Sequence, residues 1–468
     1  MKKFFAKIHL WISIPFGIII SILCLTGALL VFEVEIKELC NPSLYKASMA
    51  RETPLTIEEL MPLVKKQLPD SIAISSVQIP AGSKDNYRMG MTGQGRTSLL
   101  VDPYTGEIKG KVTPYEKGNF FSFVRRLHRW FLIQNSREGI SWGKMITGTS
   151  TLMFVFILIS GLIIWIPKTV KGLKRKLSIK RGSGSFRLWY DTHLAGGIYA
   201  LLFLLVMSLT GLTWSFNWYR TGFYKVFGVE VTQGGGHGPA PAAQQQSQVA
   251  QNETTGNREE ERRHAENRRE GENRETNSQS ERRGGSERGN RNSENSSAAY
   301  PERGERGNRG DNAGQSESGR SQQERSGENQ RRGGRGGEVN YAKWDEVAKT
   351  LIAANPTYKT VSIQNGTATV SINRTGNTRA SDRYTFNPRS GEITEVQYYK
   401  DQDKSAKIRG WIYSVHVGSW GGIVTRILYF IACLIGFILP ITGYYIYIRK
   451  RWKKSKSRKN REKVVLQN

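Results

Sequence analysis

Cysteine is scarce in this chain: three residues out of 468, at Cys24, Cys40 and Cys433, all far apart. There is no Cys-x-x-Cys pair and no Cys-x-x-Cys-His segment for covalent attachment of haem. Two of the three lie within apolar runs. The sequence therefore excludes a disulfide framework, and no thiolate cluster is available to hold a metal ion.

Acidic residues are few beside the basic ones. The chain has 40 Asp and Glu against 69 Lys and Arg, which gives a formal net charge of +29. The excess of Lys and Arg is concentrated next to long apolar runs, as in membrane proteins. The charge therefore indicates no nucleic-acid partner and points to a membrane surface.

Four apolar runs are long enough to cross a hydrocarbon core of ~30 Å as helices. They cover approximately residues 8–32, 145–166, 194–216 and 423–448. The first run follows a basic start, as in a signal peptide, but it is too long for one and lacks a small-residue cleavage site. We interpret it as a retained anchor.

The flanks of these runs predict the orientation. The N-terminus, the short loop after the second run and the C-terminal tail together carry twenty-one Lys and Arg. Such cations stay in the cytoplasm. We therefore predict an inner-membrane protein in contact with lipid, with both termini cytoplasmic and both long connections in the periplasm.

Each long connection predicts a small α+β domain. In the first, alternating segments predict strands, and VDPYTGEI at 101–108 predicts a strand–turn–strand with Gly106 at positive φ. In the second, WDEVAKTLIAANP predicts a helix and TVSIQNGTATVSINR a hairpin. Residues 387–393, NPRSGEI, then repeat the earlier turn.

Residues 233–338 contain eighteen Arg, eighteen acidic residues, no Lys and almost no bulky apolar residue. Such a segment cannot offset its ordering entropy by burial. We predict a disordered spacer, with adhesion, RNA binding or metal binding as the alternatives.

The rest of the chain is predicted to be a tandem repeat of membrane run, outer domain, amphipathic segment and membrane run. Thr26 lies seventeen residues after His9, and Thr210 lies seventeen after His193. The second and fourth runs also end alike, in LISGLIIWIPK and LPITGYYIYIRK. The predicted fold class is an α-helical membrane protein with four transmembrane helices in tandem repeat and two extracytoplasmic α+β domains.

Four of the six histidines accompany the membrane runs. His9 and His193 begin the first and third runs at the predicted cytoplasmic face. His128 and His416 precede the second and fourth, each on the apolar side of an amphipathic segment.

A single histidine at a membrane interface is usually an anchor, but four in two related positions are a stronger signal, because intramembrane ionisable residues are costly. Neutral imidazoles from facing helices suit a b-type haem, which needs two axial nitrogens and an apolar slot. A structural role and another metal or proton path remain the alternatives. No carboxylate relay and no completed zinc site accompany the histidines.

The repeat predicts the pairing. A pseudo-twofold axis along the membrane normal brings His9 to His193 on the inner side and His128 to His416 on the outer side. This gives two bis-histidine b haems. The cations available for haem propionates are Arg125, Arg126, Arg129 and Arg409 outside, and Lys7 and Arg187 inside.

Three features together resemble the PepSY-associated transmembrane family, also described as iron-regulated membrane proteins. They are LHRW at Leu127–Trp130, the Thr-Gly run endings and the two DPxTGEI-like hairpins, of which the second departs from the pattern. The resemblance covers all but residues 233–338. It implies an inner-membrane ferrisiderophore reductase whose b haems are held by histidines, here His9, His128, His193 and His416.

With the family's module names, the predicted domains follow the runs. They are transmembrane helix 1 (1–34), the first periplasmic PepSY-like domain (35–118), an interfacial helix with transmembrane helix 2 (119–167), a cytoplasmic basic loop (168–190), transmembrane helix 3 (191–218), a connection (219–232), the disordered tract (233–338), the second PepSY-like domain (339–405), an interfacial helix with transmembrane helix 4 (406–448) and a basic cytoplasmic tail (449–468).

The predicted function is transmembrane electron transfer that reduces a ferric siderophore or other iron chelate in the periplasm. No flavin or nicotinamide motif is present, so the electron donor is cytoplasmic or a quinone, and no catalytic residue is expected apart from the haem ligands. The main alternative is a non-enzymatic module that binds or restrains a peptidase or senses envelope state. A third hypothesis, based on the repeat alone, is a transporter.

Overall fold

The computed structural model describes residues 1–94, 96–113, 116, 118–133, 141–167, 169–180, 182, 184–230, 339–372 and 374–465. The predicted disordered tract, 233–338, lies outside these residues.

The helices in the described part of the chain, in order, are α1 (Lys2–Val31), α2 (Glu33–Cys40), α3 (Pro42–Tyr45), α4 (Ile57–Lys66), α5 (Phe120–Trp130), α6 (Trp142–Trp165), α7 (Val170–Leu177), α8 (Ser185–Asp191), a π-helical turn (Thr192–Gly196), α9 (Gly197–Ser215), α10 (Asn217–Val226), α11 (Trp344–Ala354), α12 (Lys404–His416) and α13 (Gly422–Val465). The strands are β1 (Ile74–Pro80), β2 (Tyr87–Met91), β3 (Ser98–Val101), β4 (Ile108–Val112), β5 (Tyr358–Gln364), β6 (Thr367–Ile372), β7 (Ser381–Phe386) and β8 (Ile393–Gln397).

Within the described ranges, four helical segments are long and apolar enough to cross a membrane, as the sequence predicts. Span 1 is Lys2–Val31, span 2 is Trp142–Trp165, span 3 is Ser185–Ser215 and span 4 is Ser419–Lys453. A helix suits this setting because it satisfies every backbone polar group within the segment. Spans 1 and 3 each pack against spans 2 and 4, so the four form a bundle.

The middle of the bundle is apolar. Its buried residues come from all four spans: Ile20, Cys24, Phe154, Leu158, Ala200, Leu204 and Ala432. On span 3, for example, Ala200 and Leu204 lie between His193 and Met207, whose carbonyl contacts His416. Apolar packing therefore separates the level of one histidine from the level of the other.

The strands form one eight-stranded antiparallel sheet in the order β4-β3-β2-β1-β5-β6-β7-β8. Strands β1–β4 come from the first long connection and β5–β8 from the second. The two meanders join where β1 pairs with β5, with Val77 opposite Ile363. The two predicted outer domains thus share a single sheet, and its strand order is symmetric about the β1–β5 pair.

Helices α4 and α11 contribute apolar residues to one core with the sheet. The most deeply buried members are Leu60, Val64, Val77, Met89, Leu99, Val101, Trp344, Leu351, Val361, Ile363 and Val370. Full burial of one such side chain is worth about 1.5–3 kcal/mol. Asp345 of α11 also accepts hydrogen bonds from the backbone N–H of Ile57 (2.8 Å) and Glu58 (3.1 Å), so one half of the sheet domain caps a helix of the other.

Both predicted hairpin turns are confirmed. Gly106 and Gly391 each have φ of +77°, a backbone conformation that glycine adopts without strain. Asp102 accepts from the N–H of Tyr104 (2.9 Å), and Asn387 accepts from that of Arg389 (2.9 Å). Asp102 also accepts from the N–H of Ser48 (2.8 Å). The replacement of Asp by Asn in the second hairpin therefore keeps the turn's own hydrogen bond.

Ion pairs connect the bundle to the first segments beyond span 1. Glu35 of α2 pairs with Arg426 of span 4, and Glu33 pairs with Arg125 of α5. The hydrogen bond from Arg426 lowers the pKa of Glu35. We call this end of the bundle, where the chain enters the sheet, the sheet side, and the opposite end the far side.

Candidate functional site

The four span-associated histidines form two pairs. His9 and His193 face each other at the far side with ring centroids 6.4 Å apart and ring planes at 89°. His128 and His416 face each other at the sheet side, also with centroids 6.4 Å apart, and with planes at 52°. The structure thus brings together the two pairs that the repeat predicts.

In the far-side pair, each imidazole is held through Nδ1 by the span next to its own. One ring is held by span 2 and the other by span 4. The contacts of Nδ1 are the Ile157 carbonyl (3.0 Å) and the Ser160 hydroxyl (3.2 Å) for His9, and the Leu439 carbonyl (3.1 Å) and the Thr442 hydroxyl (2.7 Å) for His193.

The sheet-side pair repeats this arrangement on spans 1 and 3. The contacts of Nδ1 are the Leu23 carbonyl (3.1 Å) and the Thr26 hydroxyl (2.9 Å) for His128, and the Met207 carbonyl (3.0 Å) and the Thr210 hydroxyl (3.2 Å) for His416. Burial lowers the pKa of His128 and His416 to about 4, so both imidazoles are neutral at physiological pH.

These contacts determine which nitrogen carries the proton. A carbonyl oxygen can only accept, so Nδ1 must be the protonated, donating nitrogen in all four rings. Each hydroxyl in turn donates to a carbonyl of its own helix, as Thr26 does to Ile22 (2.7 Å) and Thr210 to Val206 (2.7 Å). In the described structure every hydrogen bond of these imidazoles is made by Nδ1. The Nε2 lone pair therefore remains for a metal ion.

A glycine follows each of the four hydroxyl residues and lies against the imidazole. A Cβ added at Gly27, Gly161 or Gly211 would lie 3.1–3.4 Å from the Cε1 atom of the histidine it faces, and at Gly443 the distance would be 3.6 Å. We call each Ser/Thr-Gly pair a socket. The four sockets are Ser160-Gly161 for His9, Thr26-Gly27 for His128, Thr442-Gly443 for His193 and Thr210-Gly211 for His416.

The sockets connect the spans in a regular way. Spans 1 and 2 exchange histidines, because His9 of span 1 sits in the socket of span 2 and His128, just before span 2, sits in that of span 1. Spans 3 and 4 do the same. Each histidine pair therefore has one ring from spans 1 and 2 and one ring from spans 3 and 4.

The distance within each pair fits a single metal ion between the rings. Two metal–nitrogen bonds of about 2 Å and two ring radii of about 1 Å place centroids about 6 Å apart, close to the observed 6.4 Å. Among the described residues, no group of three or more His, Cys, Asp and Glu is placed to hold a metal ion. A metal ion held by two imidazoles needs its other ligands from elsewhere, and a porphyrin supplies four coplanar nitrogens.

The two pairs lie far apart along the bundle. The sheet-side socket of span 1 follows His9 by seventeen residues, or about 25 Å of helix. This is most of a hydrocarbon core of ~30 Å. The two pairs are therefore separated by most of the length of span 1.

His193 lies in a π-helical turn, Thr192–Gly196. Such turns are rare and often occur at functional sites. Next to it, the buried Asp191 accepts a hydrogen bond from Nε of Arg187 at 2.8 Å. This pair orders the entry to span 3.

The cations predicted to bind propionates differ in their surroundings. Arg125 pairs with Glu33 and Arg187 with Asp191, and Arg129 stacks on Trp130 with its guanidinium carbon 4.8 Å from the ring centroid. Arg126 is half-buried, whereas Lys7 and Arg409 are exposed. Their assignment to propionates stays a prediction.

The sockets were not predicted from the sequence, although the repeated Thr-Gly endings are visible in it. The available signal was that each span contains at least one Ser-Gly or Thr-Gly dipeptide, and that two of these lie seventeen residues after a histidine. Span 2 contains two such dipeptides, Thr147-Gly148 and Ser160-Gly161, so the sequence alone does not identify the socket there. The position of Trp214, whose ring centroid is 5.1 Å from that of His416, was not predicted either.

Four apolar spans and an extramembrane antiparallel sheet define a multi-pass membrane protein. The model of the family described as PepSY-associated TM region matches residues 6–450, and the chain belongs to that family. The family assignment made from the sequence is thereby confirmed. A comparison with curated proteins returned no match.

Proposed function

We propose that this protein transfers electrons across the inner membrane through two bis-histidine b haems and reduces ferric chelates, such as ferrisiderophores, in the periplasm. His9 and His193 hold one haem at the cytoplasmic side, and His128 and His416 hold the other at the periplasmic side. The electrons come from a cytoplasmic donor or from the quinone pool. Each electron delivered converts Fe(III) in the chelate to Fe(II).

The observation that carries this proposal is the fourfold repetition of one histidine geometry. Two rings face each other at 6.4 Å in each pair. Each ring is committed through Nδ1 to a carbonyl and a hydroxyl, which leaves Nε2 as the ligand atom. A structural histidine can satisfy its N–H through either ring nitrogen, whereas a metal ligand that binds through Nε2 requires the proton on Nδ1.

The chain's own residues have distinct tasks in this proposal. The sockets orient the imidazoles and, by accepting from Nδ1–H, make Nε2 a better donor to iron. The apolar centre of the bundle excludes water. Haem iron, once bound, takes up and releases one electron at a time, with a potential set by its ligands and burial.

The finer architecture belongs to the same proposal. The chain consists of two homologous halves, each with two spans and one PepSY-like domain, and a pseudo-twofold axis along the membrane normal relates them. Two observations support this two-half architecture. The strand order is symmetric, and the histidines of spans 1 and 2 and of spans 3 and 4 occupy each other's sockets in the same way. The positive-inside bias places both termini in the cytoplasm and the sheet in the periplasm.

A reduced-minus-oxidised absorption spectrum tests the proposal. Protein purified from haem-replete cells is expected to be red and to contain two haems per chain, both of bis-histidine type. Colourless protein from such cells would contradict it. Reduction of an external ferric chelate by proteoliposomes with an enclosed reductant then tests the direction of transfer.

A further inference from the structure

A cavity on the sheet side lies beside the helix that ends in His416. Its volume is about 350 Å³. Residues of α12, the β6–β7 connection, the 3₁₀ turn at Tyr399–Asp401 and the end of α10 line it: Phe227, Arg374, Thr375, Gly376, Asn377, Tyr399, Lys407, Ile408 and Trp411. We call it the α12 pocket.

The charges of the α12 pocket have one sign. Among the described residues that line it, Arg374 and Lys407 are the cations and none is acidic. In the described part of the chain neither cation takes part in an ion pair. An uncompensated pair of cations in a concave site attracts an anionic ligand.

The walls of the α12 pocket are aromatic. Trp411 and Phe227 contact each other with centroids 5.8 Å apart, and both side chains are partly exposed. The ring of Tyr399 forms another wall, with the guanidinium carbon of Arg374 5.0 Å and Nζ of Lys407 5.9 Å from its centroid. Flat aromatic surfaces next to cations suit a ligand with planar, electron-rich rings.

Hydrogen bonds fix the positions of the residues that line the α12 pocket. Asn377 donates to the Tyr399 hydroxyl (2.8 Å) and to the Lys407 carbonyl (3.2 Å). Nζ of Lys407 donates to the carbonyl of Lys400 (2.6 Å). The connection packs so closely on α12 that a Cβ at Gly410 would lie 2.5 Å from the Asn377 side chain. The two cations are therefore presented on a fixed frame.

The pocket is also close to the sheet-side histidine pair. Trp411 precedes His416 by five residues of the same helix, about 7.5 Å along its axis. Ile408 packs with Ile412 and Trp214 in one apolar cluster, and the Trp214 ring contacts His416. A ligand in the α12 pocket is thus a short distance, through packed side chains, from the proposed outer haem.

From this arrangement we infer that the α12 pocket binds the ferric substrate, and that this substrate is an anionic chelate with aromatic donor rings, of the catecholate class. Reduction of the bound chelate rests on the proposed function, which supplies the electrons, whereas binding of the chelate does not depend on it. Arg374 and Lys407 offset part of the negative charge of the complex, and Trp411, Phe227 and Tyr399 stack with its rings.

The test uses gallium(III), which forms the same complexes as iron(III) but accepts no electron under these conditions. Binding of gallium 2,3-dihydroxybenzoate to the detergent-solubilised full chain is measured by equilibrium dialysis. The double variant Arg374→Gln/Lys407→Gln is expected to bind about tenfold more weakly or worse, because it loses two charge-assisted contacts. The double variant Lys404→Gln/Arg389→Gln loses the same charge from exposed positions outside the pocket and is expected to bind like the wild type.

Two further arms complete the test. Trp411→Ala is expected to weaken binding without changing the net charge, and size-exclusion chromatography shows whether each variant is folded. The uncharged gallium acetohydroxamate complex is expected to bind the wild type more weakly and to be indifferent to the loss of the two cations. Equal binding of both complexes to the wild type, or wild-type affinity in the Arg374/Lys407 variant, would overturn the inference. If the gallium complex binds as expected but the iron complex is not reduced, the proposed function fails while the binding site stands.

Discussion

The hydroxyl oxygen of Thr26, on span 1, lies 2.9 Å from Nδ1 of His128, a residue on the helix that precedes span 2. The position of that imidazole is thus set by another span and not only by its own helix. The same holds for His416, which is held by Thr210 of span 3. Helix packing therefore determines the geometry of each histidine pair, and substitutions in the sockets should alter a haem without touching a ligand.

Thr210→Val removes the hydroxyl that accepts from His416 and keeps a similar side-chain shape. A hydrogen bond of this kind contributes about 0.5–1.5 kcal/mol net, so affinity for the outer haem should fall up to about tenfold. Its potential should rise, because the imidazole becomes a weaker donor to ferric iron. Redox titration of the purified protein measures both effects.

The matched control for Thr210→Val is Thr151→Val on span 2. The hydroxyl of Thr151 donates to the carbonyl of Thr147 at 2.8 Å, within its own helix. The control should leave both potentials unchanged. A shift of equal size in both variants would show that the socket hydroxyl has no special effect.

Gly211→Ala tests the space in the same socket. The added Cβ would lie 3.1 Å from Cε1 of His416, closer than an ordinary contact, so the ring must move. We expect reduced occupancy of the outer haem or altered axial-ligand signals in its electron paramagnetic resonance spectrum. Gly222→Ala on α10 is the control, since a Cβ there meets nothing within 4 Å. Identical spectra for the two variants would contradict the close approach.

Asp345→Ala tests the connection between the two halves of the sheet domain. Asp345 caps α4 of the other half through the N–H of Ile57 and Glu58. Loss of a helix cap costs about 1 kcal/mol, so the amides of α4 and α11, followed by hydrogen–deuterium exchange with mass spectrometry, should exchange faster. Asp345→Asn keeps an acceptor and should recover part of the loss. Glu346→Ala removes only a surface ion pair with Lys343 and should have little effect.

The orientation can be tested with the native cysteines. Cys40, at the sheet side, is exposed, whereas Cys24 and Cys433 are buried in the bundle. A membrane-impermeant maleimide should therefore label Cys40 once the outer membrane is permeabilised, and Cys40→Ser should abolish the label. Labelling only after the inner membrane is opened would reverse the proposed topology.

Much of the architecture was predictable because its signals are local. Long apolar runs determine the spans, and the turn residues around Gly106 and Gly391 determine the hairpins. The predicted helix of the second outer domain is confirmed as α11, and the predicted hairpin after it as β5 and β6. These features depend on composition and periodicity over short windows.

The union of the two meanders into one sheet was not predicted. It depends on the pairing of β1 with β5, whose residues are almost three hundred positions apart, for example Val77 with Ile363. No local pattern specifies such an edge-to-edge contact. The sockets were missed for a related reason: Thr26 and His128 become neighbours only when the helices pack.

The sharpest prediction concerns which histidines share a haem. Replacing His128 or His416 with Ala should remove one axial ligand from the outer haem only, because the other pair lies about 25 Å away along the bundle. Haem content should fall toward one per chain, and reduction of an external ferric chelate should be lost. The spectrum of the His9/His193 haem should survive.

Replacing His9 or His193 should have the opposite effect: the outer haem stays bound but cannot be filled from the cytoplasmic side. The contrast depends on pairing across the two halves, which the ring contacts of 6.4 Å support. If His128→Ala and His193→Ala instead deplete the same haem, the pairing across the halves is wrong. If all four single substitutions leave haem at the wild-type level, haem ligation by these residues is excluded, and the four sockets must serve the packing of the spans alone.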